Sequence, residues 1–251
     1  MKSFKTVFIW TLMIMALASC SKVERNEKKF LKAMQSDDYQ TVTDGYKEFT
    51  DWMQRDKSTM NYDFPLLQEN LNMKIATSQD GHLRCYSWPT STSNGLKVYA
   101  NLSQWTAGDN FIGFNGPIDQ LLAGRKGDLQ HKHMMGHSID SIIDIQLGPR
   151  TYYVIIQSYK NTEGRYRAYA SVTHIDGVVL RLLPFFFDGT EVAGNYEFIS
   201  GGNVKTSDLF KWDPQTKRFY AYQTDDNYKI IPGKYTAYQL GADRFTRLPD
   251  E

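Results

Sequence analysis

Between residues 30 and 53 the apolar positions recur at helical spacing. Phe30, Leu31 and Met34 make a short apolar face, and Tyr39, Val42, Tyr46, Phe49 and Met53 follow at steps of three, four, three and four. Trp52 widens that stripe, so the pattern predicts an amphipathic helix, with Ser36 or Asp37 as its cap. The preceding stretch, residues 21–29, is polar, with Glu24 and Lys28 four apart, and reads as a tether or a first helix. Phe64-Pro65-Leu66-Leu67 with Leu71 predicts one or two further helical turns starting near Pro65.

From about Ile75 the texture changes to strand-sized segments rich in Tyr, Phe, Val and Ile. The clearest are 83–88, 96–105, 151–159, 165–175 and 178–187, followed by 195–199, 208–212, 218–223 and 234–240. Between them stand Asn161-Thr162-Glu163-Gly164, Asp176-Gly177, Asp188-Gly189, Asp213-Pro214-Gln215-Thr216 and Pro232-Gly233, all turn formers. Such links are too short for crossover helices, so the region reads as an antiparallel meander, which disfavours α/β folds.

The expected fold is mainly β with an N-terminal helical section, its β part an antiparallel meander, a sandwich or a curved sheet. A partial β-propeller is the alternative, because Trp212 to Phe219 has the strand, Asp-Pro turn, strand order of a blade and Leu240 to Phe245 echoes its second half. Asp80-Gly81-His82-Leu83 and Asp176-Gly177-Val178-Val179 form a looser pair. Residues 30–251 are expected to make a single globular domain, helical over 30–74 and β-rich over 75–251.

The N-terminus carries an address. Lys2 and Lys5 precede an uncharged run from Thr6 to Ala18. At about 1.5 Å per residue this falls short of the roughly 30 Å hydrocarbon core, so it reads as a signal-peptide apolar region. It ends in Leu17-Ala18-Ser19-Cys20, which resembles a bacterial lipobox, with small residues for peptidase access and a thiol for the thioether. Residues 1–19 are then the signal peptide, Cys20 the lipidated first residue, and 20–29 the lipid-bearing tether. Ser21 rather than Asp follows Cys20, which implies the outer membrane by likeness to lipoproteins generally.

The segment Ser78-Gln79-Asp80-Gly81-His82-Leu83-Arg84-Cys85-Tyr86-Ser87-Trp88, then a Ser/Thr/Gly-rich loop and Asn101-Leu102-Ser103-Gln104-Trp105, is similar to segments in uncharacterised lipoproteins of Bacteroidales. The resemblance covers the signal, the helical section and this hairpin. It implies a cell-envelope location and a β-rich body, and it transfers no catalytic residues.

Charge changes little. The 251 residues carry 29 Lys+Arg against 28 Asp+Glu, and loss of residues 1–19 leaves 27 against 28, so no basic field exists for nucleic acid. With Cys20 lipidated, Cys85 has no disulfide partner and reads as a small buried residue on a strand.

Candidate chemistry lies in four places. No cofactor is expected unless His131, His133 and His137, with Met134 and Met135 among them, bind Cu, Ni or Zn; the other reading of the segment is a solvated loop. Along a strand they would span about 20 Å, and on a helix only His133 and His137 would align. Gly136-His137-Ser138-Ile139-Asp140 begins like a hydrolase nucleophile elbow, but Asp140 stands where a small residue is required, so Ser138 reads as a helix or turn cap.

Carboxylates at Asp109, Asp119, Asp128, Asp140, Asp144, Asp188, Glu191, Asp225 and Asp226 are expected in loops, where two within about 5 to 10 Å would permit glycoside hydrolysis. Tyr86, Trp88, Trp105 and Trp212, at strand ends beside polar loops, are the candidate rings for stacking sugars; filling a β core is their other use. The expectation is a membrane-anchored accessory protein that binds a glycan or an envelope protein. A glycan hydrolase and a structural subunit of an outer-membrane complex are the alternatives, and enzymatic activity stays open.

Overall fold

The computed structural model describes residues 22–91, 97–107, 111–115, 138–160, 165–177, 179–183, 186–187, 192–193, 195–201, 209–225, 227, 229–242 and 244–249. The chain divides into two compact units, Met1–Met73 and Lys74–Glu251.

The first unit is helical. Helix α1 covers residues 22–34, so of the two readings of residues 21–29, tether or first helix, the second holds from Lys22 onward. The cause is a stripe at steps of four, three and four: Val23, Glu27, Phe30 and Met34 are all buried. Helix α2, Tyr39–Arg55, is capped by Asp38, whose Oδ2 accepts from the Thr41 N–H at 2.8 Å. That is one residue beyond the Asp37 expected from sequence; Ser36 instead accepts from the Asp38 N–H at 3.1 Å.

Val42, Tyr46, Phe49, Trp52 and Met53 of α2 are buried as their spacing predicts. The Phe30 and Phe49 rings stack at 3.9 Å. Where α1 and α2 come closest, a Cβ on Gly45 would lie 2.2 Å from the Cβ of Ala33, so hydrogen is all that fits. A 3-10 turn, Lys57–Asn61, leads to α3, Pro65–Leu71, with proline in its first turn as expected.

Phe64, the residue capping α3, sits at φ 49° and offers no side-chain cap. Glu27 of α1 supplies one from forty residues away, its Oε1 accepting from the Leu67 N–H at 3.1 Å while Oε2 accepts from the Tyr62 hydroxyl at 2.8 Å. Both carboxylate oxygens of this buried residue are thus used.

The second unit is a stack of three sheets. The first is a meander of β1 Lys74–Thr77, β2 Leu83–Ser91, β3 Lys97–Ala107 and β4 Phe111–Asn115. The second contains β5 Ser138–Leu147, β6 Arg150–Lys160, β7 Arg165–Asp176, β8 Val179–Leu183 and β11 Asn195–Gly201, in the order β11-β7-β6-β5 with β8 also on β7. The third combines β9 Phe186–Phe187, β10 Val192–Ala193, β12 Phe210–Asp213, β13 Arg218–Thr224, β14 Ile230–Leu240 and β15 Phe245–Arg247. Pairing is antiparallel throughout these ladders except for one short parallel contact, Phe245 beside Phe186.

The second sheet is the middle layer, and its residues alternate between two cores. Ile139, Ile142, Tyr153 and Ile155 pack with Leu83, Cys85 and Trp105 of the first sheet. Ile145, Val154, Ile156, Ala168, Ala170 and Val172 pack with Phe186, Phe210, Phe219, Tyr238 and Phe245 of the third. A strand buried on both faces needs an unbroken apolar run, and Tyr152-Tyr153-Val154-Ile155-Ile156 on β6 supplies one.

Three details depart from the sequence reading. Strand β5 was not expected at all, because its ladder shifts register between Ile139 and Ser141 and the bulge at Asp140 breaks the alternation. The single strand expected over 178–187 is two, β8 and β9, in different sheets, and Pro184 falls between them. Pro232-Gly233 lies within β14 rather than in a hairpin turn, at a register irregularity opposite Tyr222 and Thr224. The two propeller-like echoes are the turns of successive hairpins, β12 to β13 and β14 to β15, within one sheet.

Candidate functional site

The most developed polar constellation of the β unit gathers on the turn between β1 and β2. Gly81 at φ 72° reverses the chain, and Asp80 Oδ1 accepts from the His82 N–H at 2.9 Å and from the Ser78 hydroxyl at 2.7 Å. The other oxygen of Asp80 accepts from the Tyr153 hydroxyl at 2.8 Å, which ties the turn to β6. The Asp80 N–H donates to Asp144 Oδ2 on β5 at 3.0 Å, and His82 Nδ1 lies 2.7 Å from the Thr106 hydroxyl. Residues 64 and 73 positions apart are joined this way.

Environment pushes the two carboxyls apart. Burial alone would raise Asp80, but hydrogen bonds from Ser78, the His82 backbone and Tyr153, with the His82 charge, outweigh it and hold the group below the usual carboxylate range. For Asp144 burial wins over the backbone donors at Asp80 and Gln79, and the Asp80 charge adds to it, so this carboxyl is raised. Its Oδ1 is buried without a partner among the described residues. Burial and the two aspartates also push the Tyr153 phenol up.

Opposed acidities mark an acid–base pair in many active sites. Here, however, both Asp80 oxygens and Asp144 Oδ2 are occupied by the fold's own donors. The arrangement pins a turn to the neighbouring sheet and leaves no carboxylate oxygen pair open for substrate.

That role has a pH signature. A depressed folded-state value stabilises the fold above the unfolded Asp value of about 3.9 and is lost as pH falls through the folded value. The raised Asp144 does the reverse, stabilising below its unfolded value and losing that contribution as pH rises through its folded one. Urea midpoints measured across acidic pH should therefore fall more steeply toward low pH in the wild type than in Asp80→Asn, which lacks the depressed carboxyl. Parallel profiles for the two proteins would rule the Asp80 contribution out.

A second polar group centres on the β5 bulge. Asp140 accepts from Lys74 Nζ at 2.8 Å, from the Ser138 hydroxyl at 3.4 Å and from the Ser158 hydroxyl. Asp140 and Asp144, expected in loops, thus lie on a strand. Ser138 opens that strand and is buried, so it caps neither a helix nor a turn.

On the helical unit, a cleft of about 220 Å³ has Phe30, Phe49 and Trp52 among its lining residues. The charges around it are paired with one another, Lys29 with Glu48 at 2.5 Å and Arg55 with Asp51 at 3.4 Å.

The four rings expected to form a sugar platform are not brought together. Tyr86, Trp88 and Trp105 are 0%, 2% and 4% exposed. Tyr86 and Trp88 lie on one face of the first sheet and Trp105 on the other, since β2 and β3 pair Leu83 with Trp105 and Trp88 with Ala100. Trp212 belongs to the third sheet, half-buried edge-on against Phe245 at 5.8 Å. Tyr86, Trp88 and Trp105 are therefore core residues, Trp105 in the core between the first and second sheets, and Trp212 packs at the margin of the other core, so the four do not form one platform.

Cys85 is buried as read from sequence, its thiol pushed up to about 12 by burial, against a hydrogen bond with Ser103 that lowers it. Cys20, His131, His133 and His137 lie outside the described residues, as do Asp109, Asp119, Asp128, Asp188, Glu191 and Asp226. Among the described residues no group of three His, Cys, Asp or Glu could hold a metal, and no helix is long and apolar enough to cross a membrane. Asp80, Tyr153 and the His82–Thr106 pair were missed as a cluster; only Ser78-Gln79-Asp80-Gly81-His82, a turn signal, pointed at one of its ends. Compared with protein-family models, curated proteins and solved structures, the chain matches none.

Proposed function

We propose that the chain is a lipid-anchored accessory protein of the cell envelope, held at the outer membrane through Cys20 and acting by binding an extracytoplasmic glycan or protein. The address rests on the order basic residues, thirteen-residue apolar run, Leu17-Ala18-Ser19-Cys20. Lys22, two positions after Cys20 in the sequence, already belongs to helix α1. The observation that favours binding over hydrolysis is the commitment of both Asp80 oxygens and of Asp144 Oδ2 to internal donors.

Cys20→Ala should move the protein from the membrane pellet to the soluble fraction. Its retention in carbonate-washed membranes would overturn the anchor. Binding is checked by thermal unfolding of the chain from Ser21 against envelope glycans and peptides. A ligand at a hundred times its Kd adds about 2.7 kcal/mol, a rise of roughly 5 to 10 °C at this size. No shift with any of them, together with no partner cross-linked in membranes, would overturn the binding role.

A further inference from the structure

Helix α1 exposes six charged side chains, of which Lys22, Arg25, Lys28, Lys29 and Lys32 are basic and Glu24 is acidic. Arg25, Lys28, Lys29 and Lys32 stand at steps of three, one and three, the spacing of a single helical stripe. At 3.6 residues per turn that stripe is centred about 180° around the axis from Val23, Glu27, Phe30 and Met34, which are buried. The packing that fixes the inner side of α1 therefore leaves these four cations on its outer side.

Their counter-charges are fewer. Glu24 pairs with Lys28 and Glu48 of α2 pairs with Lys29, each at 2.5 Å, and all four side chains are more than half exposed, so both pairs exchange readily with other ions. Burial would raise Asp56, at the end of α2, but bonds from Ser58 and Trp52 and the charge of Lys22 hold it low, so Lys22 already faces an acid. Arg25 and Lys32, seven positions apart on the stripe, make no ion pair among the described residues. Four cations thus stand over two carboxylates.

We propose that this stripe lies on the membrane, its cations against the anionic phospholipid headgroups of the leaflet that holds the acyl chains of Cys20. The proposal rests on the lipid anchor given above and adds a second, electrostatic attachment to it. Two observations choose this occupant. Helix α1 opens at Lys22, two positions after Cys20 in the sequence, so it is the described element next to the anchor along the chain. Its apolar side is buried, so the helix can adsorb through charge without inserting, and the surface it fits is a plane of anions rather than an apolar pocket. A few basic residues attract an anionic leaflet too weakly to hold a protein by themselves. A tether at Cys20 makes the encounter intramolecular, and a weak stripe is then enough to lay α1 along the surface.

The test is co-sedimentation of the chain from Ser21, which lacks the anchor, with vesicles of phosphatidylcholine alone or mixed with phosphatidylglycerol. At low salt the protein should partition severalfold more onto the phosphatidylglycerol vesicles, and added salt should release it. Arg25→Gln and Lys32→Gln, both at exposed positions, should each weaken that partition about fivefold. Glu24→Gln, which frees Lys28, should strengthen it. Lys229→Gln combined with Lys234→Gln removes the same charge from exposed positions of the β unit and should leave the partition unchanged.

No preference for phosphatidylglycerol at low salt overturns the proposal, as does binding that Arg25→Gln combined with Lys32→Gln leaves intact. Equal weakening by the Lys229 and Lys234 pair overturns it too, since net charge and not the stripe would then be at work. Cross-linking of Lys28 to an acidic protein in membranes, with no binding to vesicles, would give the stripe to that protein instead. None of these proteins carries the lipid, so the anchor itself is judged separately, by the fractionation of Cys20→Ala.

Discussion

Glu27→Ala should lower the unfolding free energy by about 3 to 5 kcal/mol, a large part of the roughly 5 to 15 kcal/mol a domain possesses. Glu27 is fully buried, and its two oxygens accept from Leu67 N–H and from the Tyr62 hydroxyl. Each hydrogen bond to a charged acceptor contributes about 1.5 to 3 kcal/mol, and truncation also leaves a backbone donor of α3 buried and unmet. Glu27→Gln should lose less, because the amide oxygen can still accept from Leu67 while the Tyr62 hydroxyl rotates to accept from the amide. Urea unfolding of the three proteins checks this. A loss below 1 kcal/mol in the alanine variant would mean that water replaces the carboxylate.

Gly45→Ala is expected to destabilise by about 2 kcal/mol although alanine is the better helix former by about 1 kcal/mol. The added methyl would sit 2.2 Å from the Ala33 Cβ, well inside contact distance, so α1 and α2 would have to part and the stacked Phe30 and Phe49 rings with them. The diagnostic is the pair. Ala33→Gly removes the colliding atom, leaving the Ala33 Cα at 3.7 Å, so the double variant should recover most of the loss in a double-mutant cycle. Additive effects of the two substitutions would exclude the contact as the cause.

The helices were legible because their signal is local. Steps of three and four between Tyr39 and Met53 are readable without knowing what covers them, whereas the stripe from Val23 to Met34 was not read, because it hides a carboxylate among its apolar members. Glu27 stands in a run of charged residues and looks like solvated surface. Its burial depends on a helix N-terminus forty positions later, and no spacing rule reaches that far.

The same limit governs the aromatic residues. Tyr86 and Trp88 on β2 and Tyr220 and Tyr222 on β13 alternate with their neighbours in the same manner. In the first pair the rings are core, and in the second they are surface. Asp144 likewise reads as a loop acid until the bulge at Asp140 and the turn at Asp80 place it on a strand against another sheet.

Periodicity and turn residues are properties of neighbouring positions, so the sequence by itself determined the helical section and most strands, and the N-terminal order of charge, apolar run and cysteine is the basis of the proposed address. Which face of each strand is dry depends on how many layers stack and in what order, a matter of contacts between residues dozens of positions apart. Only the tertiary structure decided that the second sheet is buried on both sides, that Asp80 and Asp144 hold a turn, and that Tyr220, Tyr222 and Tyr235 stay half-buried while Tyr86 and Trp88 are buried.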